Sequence, residues 1–469
     1  MSSASYSGKE CPLVLCMAWN SDGSALALGT ATFLSIYSSE KTLVQKTSLI
    51  GEEMSEGEGN KVHGLLLLAK REMPGGVGQI SMFGQSSLLL FSGSTLQQRC
   101  KVTLWDDSKG IGLDGVTLRD ECTLAQVTLS NPVRGLRFHT HLLLVAEDFK
   151  VHVFDSRLQR LDSLPTPTQG NNSDNNCNTI AMATITHREN FGAFSGSILR
   201  FAMLGPTVGS IRCISYTHAI VPSRLQGTAE SQLLLRNQQK LNIRIAHPHE
   251  RRVKCIAMNT DGSIAVTVSD NGTALKVIDV VTGDILKQVS RGTTPSMVNT
   301  ISVNSDASLV ACVSESGTVH CFSVKRGEGT TTPAPSAFQW VVGVVGSIPS
   351  LNPAAQAIVS DRAFATLPIL SSIADEKMAI MSSNASSSAA EGAEAFDMTT
   401  IPDNTSAYSG LFSTIVLRPG LDRSGCATAL VTIGSLYPNV KAKCILIQID
   451  EKKNECRRLA TFLVPRDEL

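Results

Sequence analysis

The sequence has no excess of charge of either sign and no long apolar run. Its 469 residues include 41 Lys and Arg against 41 Asp and Glu, so no overall field would draw the chain to nucleic acid or to an anionic surface. The N-terminal stretch MSSASYSGKECPLVLCMAW has only a short apolar run, too short for a usual secretory signal. The C-terminal RDEL is therefore interpreted as a chance match to an ER-retention signal. These absences predict a cytoplasmic protein that binds no nucleic acid.

The motifs of common enzymes and metal sites are also missing. Twelve cysteines are present, but none forms a Cys-x-x-Cys pair or a Cys/His ligand pattern, so we expect reduced thiols, no metal and no cofactor. There is no P-loop, no H-E-x-x-H and no G-x-S-x-G. The string GIGLDG (110–115) matches G-x-G-x-x-G, but the residues after it alternate like a strand, which predicts a turn. The chain is not expected to be an enzyme.

What the sequence does contain is a repeat. Residues 16–38, 255–280 and 300–324 each show an alternating strand, an Asn-Ser/Thr-Asp-Gly/Ala turn, an apolar strand, a short turn and a third strand. Asn259 and Asn304 lie 45 positions apart, which is the spacing of four-stranded blades of the WD40 type. Amphipathic helix patterns are nearly absent. The sequence therefore predicts an all-β fold, a WD40-like β-propeller that forms a single domain over 1–469.

Two segments interrupt the rhythm of the blades. Residues 326–361 contain a stretch without charge from 329 to 360, with FQWVVGVVGSIP (338–349) at its centre. Residues 382–410 are rich in Ser and Ala and carry acids that no base opposes. The composition of this second segment predicts a disordered acidic insertion, in blade seven.

The residues around Arg291 resemble a known family. His247, the stretch VTVSDNGTALKV (266–277), VSRG (289–292) and SESGTVHCF (314–322) follow one another as in blades five and six of the PROPPIN family. That family consists of seven-bladed propellers that bind phosphoinositides in autophagy and endolysosomal traffic, so the resemblance implies a seven-bladed WD40-like β-propeller for this chain. Its signature Phe-Arg-Arg-Gly stands here as Val-Ser-Arg-Gly, so the first arginine is replaced by Ser290.

The resemblance implies two headgroup pockets, because consecutive residues of a strand point to opposite faces. The pocket served by the second arginine is complete, and its residues are Arg291, Gly292, Ser314, Thr318 and His320. A guanidinium with hydroxyl and imidazole groups suits phosphate. The alternative is that the hydroxyls and the imidazole form the internal hydrogen-bond network found in many WD40 blades. The other pocket is expected to be weakened, and its residues are His247, Thr267, Ser269, Thr273, Lys276 and Ser290.

The uncharged segment 326–361 stands where the family carries a membrane-facing loop in blade six. Its central stretch is too short to span a bilayer. Phe338, Trp340, Val341 and Val342 are nevertheless suited to insert at the membrane interface. The alternative is a strand packed against the edge of the propeller, since Gly and β-branched residues disfavour a helix.

The resemblance implies a peripheral membrane protein that binds phosphatidylinositol 3-phosphate or the 3,5-bisphosphate, with the headgroup held mainly by Arg291. It further implies action in autophagosome formation or endolysosomal traffic, with autophagy or trafficking proteins as partners. The expected location is the cytoplasm and the surface of endosomal, vacuolar or lysosomal, or preautophagosomal membranes. The alternative is a WD40-like protein-interaction scaffold that has lost its lipid affinity, and Ser290 favours that alternative.

Overall fold

Seven β-sheets, the blades of a propeller, make up the fold in the computed structural model. It describes residues 14–40, 65–109, 122–166, 179–191, 194–220, 240–324, 361–369, 411–435 and 442–464. The strands of blades one to three are β1 (Val14–Trp19), β2 (Ala25–Thr30), β3 (Phe33–Ser38) and β4 (Leu66–Glu72); β5 (Gln79–Met82), β6 (Leu88–Ser92), β7 (Lys101–Asp106) and β8 (Thr123–Thr128); and β9 (Gly135–His139), β10 (Leu142–Ala146), β11 (Lys150–Phe154) and β12 (Arg160–Pro165).

Blades four to seven complete the ring. Their strands are β13 (Ile180–Met182), β14 (His187–Phe191), β15 (Phe194–Leu204), β16 (Ile211–Ile220) and β17 (Lys240–Ala246); β18 (Val253–Met258), β19 (Ile264–Ser269), β20 (Ala274–Asp279), β21 (Ile285–Ser290) and β25 (Asp361–Arg362); β22 (Val298–Val303), β23 (Leu309–Ser314), β24 (Thr318–Ser323) and β26 (Ala365–Pro368); and β27 (Leu411–Leu421), β28 (Ala427–Ser435), β29 (Lys443–Asp450) and β30 (Glu455–Leu463). The predicted all-β, seven-bladed propeller is confirmed.

The core lies between neighbouring blades rather than inside one layer. The first strands of successive blades contact one another around the whole ring, so they line its centre. Alternate side chains of each strand point to opposite neighbours: Ala265 packs toward blade four, whereas Val266 packs toward blade six. Each of the seven interfaces between blades is filled by one apolar cluster, and one of these clusters joins blade seven to blade one. The ring is therefore closed by burial of apolar side chains at every interface.

The repeated Asn turn has the same hydrogen bonds in each copy. The side-chain amide of Asn259 donates to the hydroxyl of Ser263 at 3.1 Å, and its Oδ1 accepts the N–H of Ile264 at 3.0 Å. Asn304 makes the same pair of bonds to Ser308 at 3.0 Å and to Leu309 at 2.8 Å. An Asn side chain that bonds to the backbone in this way stabilises a turn, which explains why the motif recurs at the start of the second strand.

Blade five carries an additional strand at its outer edge. The first described range after the one that contains β24 begins at Asp361, where β25 also begins. The strand β25 pairs in parallel with β21. The chain then completes blade six, where β26 pairs with β24. A segment distant in sequence is thereby placed next to the Val-Ser-Arg-Gly motif.

Several sequence-based expectations fall on parts of the chain that are not described. The expected insertion residues Phe338, Trp340, Val341 and Val342 and the acidic segment 382–410 lie outside the described residues. Within the described ranges, no helix is both long and apolar enough to cross a membrane.

Candidate functional site: anion pockets beside blade five

Arg291 lies directly after β21, against the turn that joins β19 to β20. Its Nε donates to the carbonyl oxygen of Gly272, its Nη2 donates to that of Thr294, both at 2.5 Å, and its backbone N–H donates to the carbonyl of Thr273. The side chain is half-buried, and burial lowers the pKa of its guanidinium. A guanidinium has five N–H donors, so three remain for a ligand after these two bonds.

His320 faces Arg291 from blade six. It is 8% exposed, and neither ring nitrogen has a hydrogen-bond partner. Burial, together with the positive charge of Arg291, lowers the pKa of His320 to about 4. The imidazole is therefore neutral near pH 7. A buried, unpaired polar ring costs free energy unless a ligand or water satisfies it, so this ring is a candidate ligand contact.

The other predicted residues of this pocket have different roles. Ser314 contacts the hydroxyl of Ser316 at 2.8 Å and donates to the carbonyl of Thr318 at 3.2 Å, so its hydroxyl is engaged in its own turn. The strand alternation places Thr318 on the same face as His320, and Thr318 is partly exposed. A Cβ at Gly292 would meet no atom within 4 Å, so the space beside Arg291 is open.

A second polar cluster lies on the opposite face of blade five. Thr267 is fully buried and contacts Nε2 of His249 at 3.0 Å. Lys276 pairs with Thr267 across the sheet and is half-buried. Burial lowers the pKa of Lys276, and the carboxylate of Glu250 acts in the opposite direction. Burial, with the positive charge of Lys276, also lowers the pKa of His249 to about 4.

The remaining predicted residues of this cluster lie around Ser290. Ser290 itself is 4% exposed and pairs with Ala274 of the neighbouring strand. Ser269 is buried at the end of β19, and the hydroxyl of Thr273 accepts a hydrogen bond from the amide of Asn271 at 3.4 Å. The structure thus brings the predicted hydroxyls to one end of blade five.

Two histidines lie close together at the second cluster. His247 is exposed, whereas His249 is the histidine that contacts Thr267. Both follow β17 in the string AHPH, and the backbone N–H of His249 donates to the carbonyl of Gly209, which turns this residue inward. The spacing along the sequence cannot distinguish two histidines that lie two positions apart in a turn.

Arg362 is a residue that the motif pattern did not reveal. Ser290 pairs in register with Arg362 of β25, and the arginine is exposed. In the sequence Arg362 is the second residue after the uncharged segment. The return of charged residues after residue 360 is the only sequence feature that marks it. That signal does not indicate which blade the strand joins.

A separate surface pocket of about 250 Å³ lies on blade seven. Its lining includes Gln448, Asp450, Lys453 and Arg457. Gln448 already accepts a hydrogen bond from Arg457 at 2.6 Å, and the charges of both signs in the lining offset one another. We therefore assign the candidate site to blade five and not to this pocket.

Known proteins resemble this chain both in sequence and in fold. No protein-family model matches it. Autophagy-related protein 18 of Aspergillus oryzae is 34% identical over 97 residues, which cover 20% of this chain and 24% of that protein. Autophagy-related protein 18 of Debaryomyces hansenii is 24% identical over 228 residues, which cover 45% of this chain and 38% of that protein. The chain thus matches less than half the length of these curated relatives.

Solved structures match over nearly the whole chain. Hsv2 of Kluyveromyces lactis aligns with a TM-score of 0.55 and 14% identity, covering 97% of this chain and 100% of that protein. KlAtg21, solved as a complex with the coiled coil of AgAtg16, aligns with a TM-score of 0.51 and 14% identity over 97% of this chain and 100% of that protein. The chain is therefore a seven-bladed β-propeller that resembles the PROPPIN family in sequence and in fold, as the motifs around Arg291 predicted.

Proposed function

We propose that this chain is a non-enzymatic peripheral membrane protein that binds phosphatidylinositol 3-phosphate or the 3,5-bisphosphate through Arg291 and His320. The buried, unpaired imidazole of His320 beside the guanidinium carries this proposal. An incoming phosphate accepts hydrogen bonds from the free guanidinium donors and from the ring N–H of His320, and the open space at Gly292 admits it.

The proposed biological role is in autophagosome formation or endolysosomal traffic, at the surface of endosomal, vacuolar or lysosomal, or preautophagosomal membranes. The similarity to autophagy-related proteins supports this role. The proposed partners are autophagy or trafficking proteins, and the complex of KlAtg21 with a coiled coil supports this class of partner.

The two residues that follow the uncharged segment in the sequence support a membrane-facing role for it. Asp361 pairs with Val289, and Arg362 pairs with Ser290. These two residues therefore lie beside the polar cluster at the rim of blade five. Apolar insertion next to a headgroup pocket would add hydrophobic affinity to electrostatic recognition.

Vesicle flotation tests the proposed function directly. We expect the chain to float with phosphatidylcholine vesicles that contain phosphatidylinositol 3-phosphate or the 3,5-bisphosphate, and not with vesicles that contain phosphatidylserine at equal charge. Equal flotation on phosphatidylserine would indicate nonspecific attraction by the basic stretch 236–254. No flotation on any anionic vesicle would leave the scaffold alternative.

Two structural observations favour that alternative. The guanidinium of Arg291 already donates to two backbone carbonyls, and Ser314 is engaged within its own turn. A protein-interaction scaffold would use these contacts only to hold the rim of the blade. The flotation panel separates the two functions, because only lipid binding depends on the headgroup.

Replacing Phe338 and Trp340 together by Ser is expected to weaken vesicle binding while the affinity for a soluble headgroup stays unchanged. The two aromatic side chains are proposed to insert at the membrane interface, where they add apolar burial that a soluble headgroup does not use. Flotation and calorimetry on the same protein batch provide the comparison. An equal loss in both assays would show that the segment supports the fold instead.

A further inference from the structure

Arg362 lies beside the second polar cluster, here called the Ser290 cluster, which contains Lys276 but no arginine. Ser290 and Arg362 are register partners in the parallel pair β21 and β25, so their side chains leave the sheet on the same face. Adjacent strands are about 4.8 Å apart, which places the arginine immediately beside the buried serine. Among the described residues, the guanidinium of Arg362 has no ion pair or hydrogen-bond partner, and the residue is exposed.

The surroundings of Ser290 already have the composition of an anion pocket. Lys276 and the hydroxyls of Thr267 and Ser269 lie on the face of blade five that carries Ser290, as the register of its strands requires. His249 reaches this face from the connection between blades four and five. The half-buried Lys276 is a point charge, and such a pocket lacks only a planar donor for bidentate contact.

We propose that Arg362 supplies this donor, so that the Ser290 cluster is a working second phosphate site whose arginine comes from a different strand. The inference rests on the proposed phosphoinositide binding and extends it to two headgroups per chain. The pocket that the sequence alone marks as weakened is then completed by β25, which enters blade five only after the chain has passed through residues 325–360.

The structure also offers a reason why this arrangement is effective. Arg362 is the second residue after the uncharged segment 329–360, so a membrane contact made by that segment would hold the guanidinium at the lipid surface. Two sites on one rigid propeller act through a high effective concentration on the membrane. The second site therefore contributes to avidity even when its own affinity is modest.

The test uses the full chain and a soluble headgroup, inositol 1,3-bisphosphate, in calorimetry. Wild type is expected to bind two headgroups and Arg291→Gln to bind one. In the Arg291→Gln background, Arg362→Gln is expected to weaken the remaining site about tenfold, because a charge-assisted contact is lost. Arg362→Lys, which keeps the charge but not the planar fork, is expected to give an intermediate affinity. Arg157→Gln, at an exposed arginine in blade three, is the matched control.

Each outcome decides one question. If Arg291→Gln binds no headgroup, or if adding Arg362→Gln leaves its affinity unchanged, the second site is refuted while the site at Arg291 stands. If wild type binds no headgroup, the proposed function fails and the second site with it. Thermal melts exclude unfolding, and should Arg362→Gln unfold, the affinity of Arg362→Lys decides between the same outcomes.

Discussion

Replacing Arg291 by glutamine is expected to reduce binding to vesicles that contain phosphatidylinositol 3-phosphate by about ten- to a hundredfold. Glutamine keeps a polar side chain but removes the positive charge and the planar pair of donors. A charge-assisted hydrogen bond contributes about 1.5–3 kcal/mol, which corresponds to this range. Titration of vesicles against fixed protein, with and without the phosphoinositide, measures the change.

The stability of the same variant must be measured beside its affinity. Arg291 donates to the carbonyls of Gly272 and Thr294, so it holds the turn after β21 as well as any ligand. We expect Arg291→Gln to lower the free energy of unfolding by about 1 kcal/mol, since net hydrogen bonds of partly buried groups contribute about that much. Arg157→Gln, which changes the net charge equally at an exposed site, should leave both quantities unchanged. A folded Arg291→Gln protein that binds vesicles like the wild type would show that Arg291 is purely structural.

The fold could be predicted because its signals are local and repeated. The turn beginning at Asn259 bonds to its own backbone five residues later, and the turn at Asn304 does the same. The short apolar runs along Ile264–Ser269 and Leu309–Ser314, bounded by turn residues, predict buried strands without any information from distant residues. The number of blades is implied by the resemblance to the PROPPIN family and not by these turns.

The site could be predicted only in part, because it depends on contacts between distant segments. The choice of Arg291 and His320 as candidate residues rests on the resemblance to the PROPPIN motif. The inward turn of His249 depends on a bond to Gly209, and the pairing of Arg362 with Ser290 joins residues 72 positions apart. Strand pairing across such a distance is decided by tertiary packing, which local patterns do not encode.

The free energy of unfolding is expected to fall by several kcal/mol as the pH decreases from about 6.5 to about 4. Burial lowers the pKa of His139, His249 and His320 to about 4 each, whereas an unfolded histidine titrates near 6.5. Between these values the unfolded state binds more protons than the folded state, so stability increases with pH across this window and is lost as the pH falls through it. Since each ring keeps some contact with solvent, we expect about 1–2 kcal/mol per histidine.

Protonation of carboxylates lowers the free energy of unfolding further at lower pH. Hydrogen bonds to the carboxylates of Asp22 and Asp261 outweigh the opposing effect of burial and lower the pKa of each. Their contribution to stability is present above the unfolded pKa and is lost as the pH falls through the folded one. The loss of stability should therefore continue below about pH 4, where the histidine contribution ends and protonation of the carboxylates takes over.

Denaturant unfolding of wild type and His139→Asn at a series of pH values measures how much of the pH-dependent free energy of unfolding comes from this histidine. His139 lies in blade three, away from the proposed lipid sites, and packs edge-on against Phe83 with ring centroids 4.9 Å apart. Its Nδ1 accepts the backbone N–H of His141 at 3.3 Å, and the side-chain oxygen of asparagine can accept the same bond. We expect His139→Asn to be less stable than wild type at pH 7 but to lose about 1–2 kcal/mol less between pH 6.5 and 4. His247→Asn, at an exposed position, is the matched control and should keep the wild-type slope. A wild-type free energy of unfolding that stays constant over this window would contradict the burial of neutral histidines between the blades.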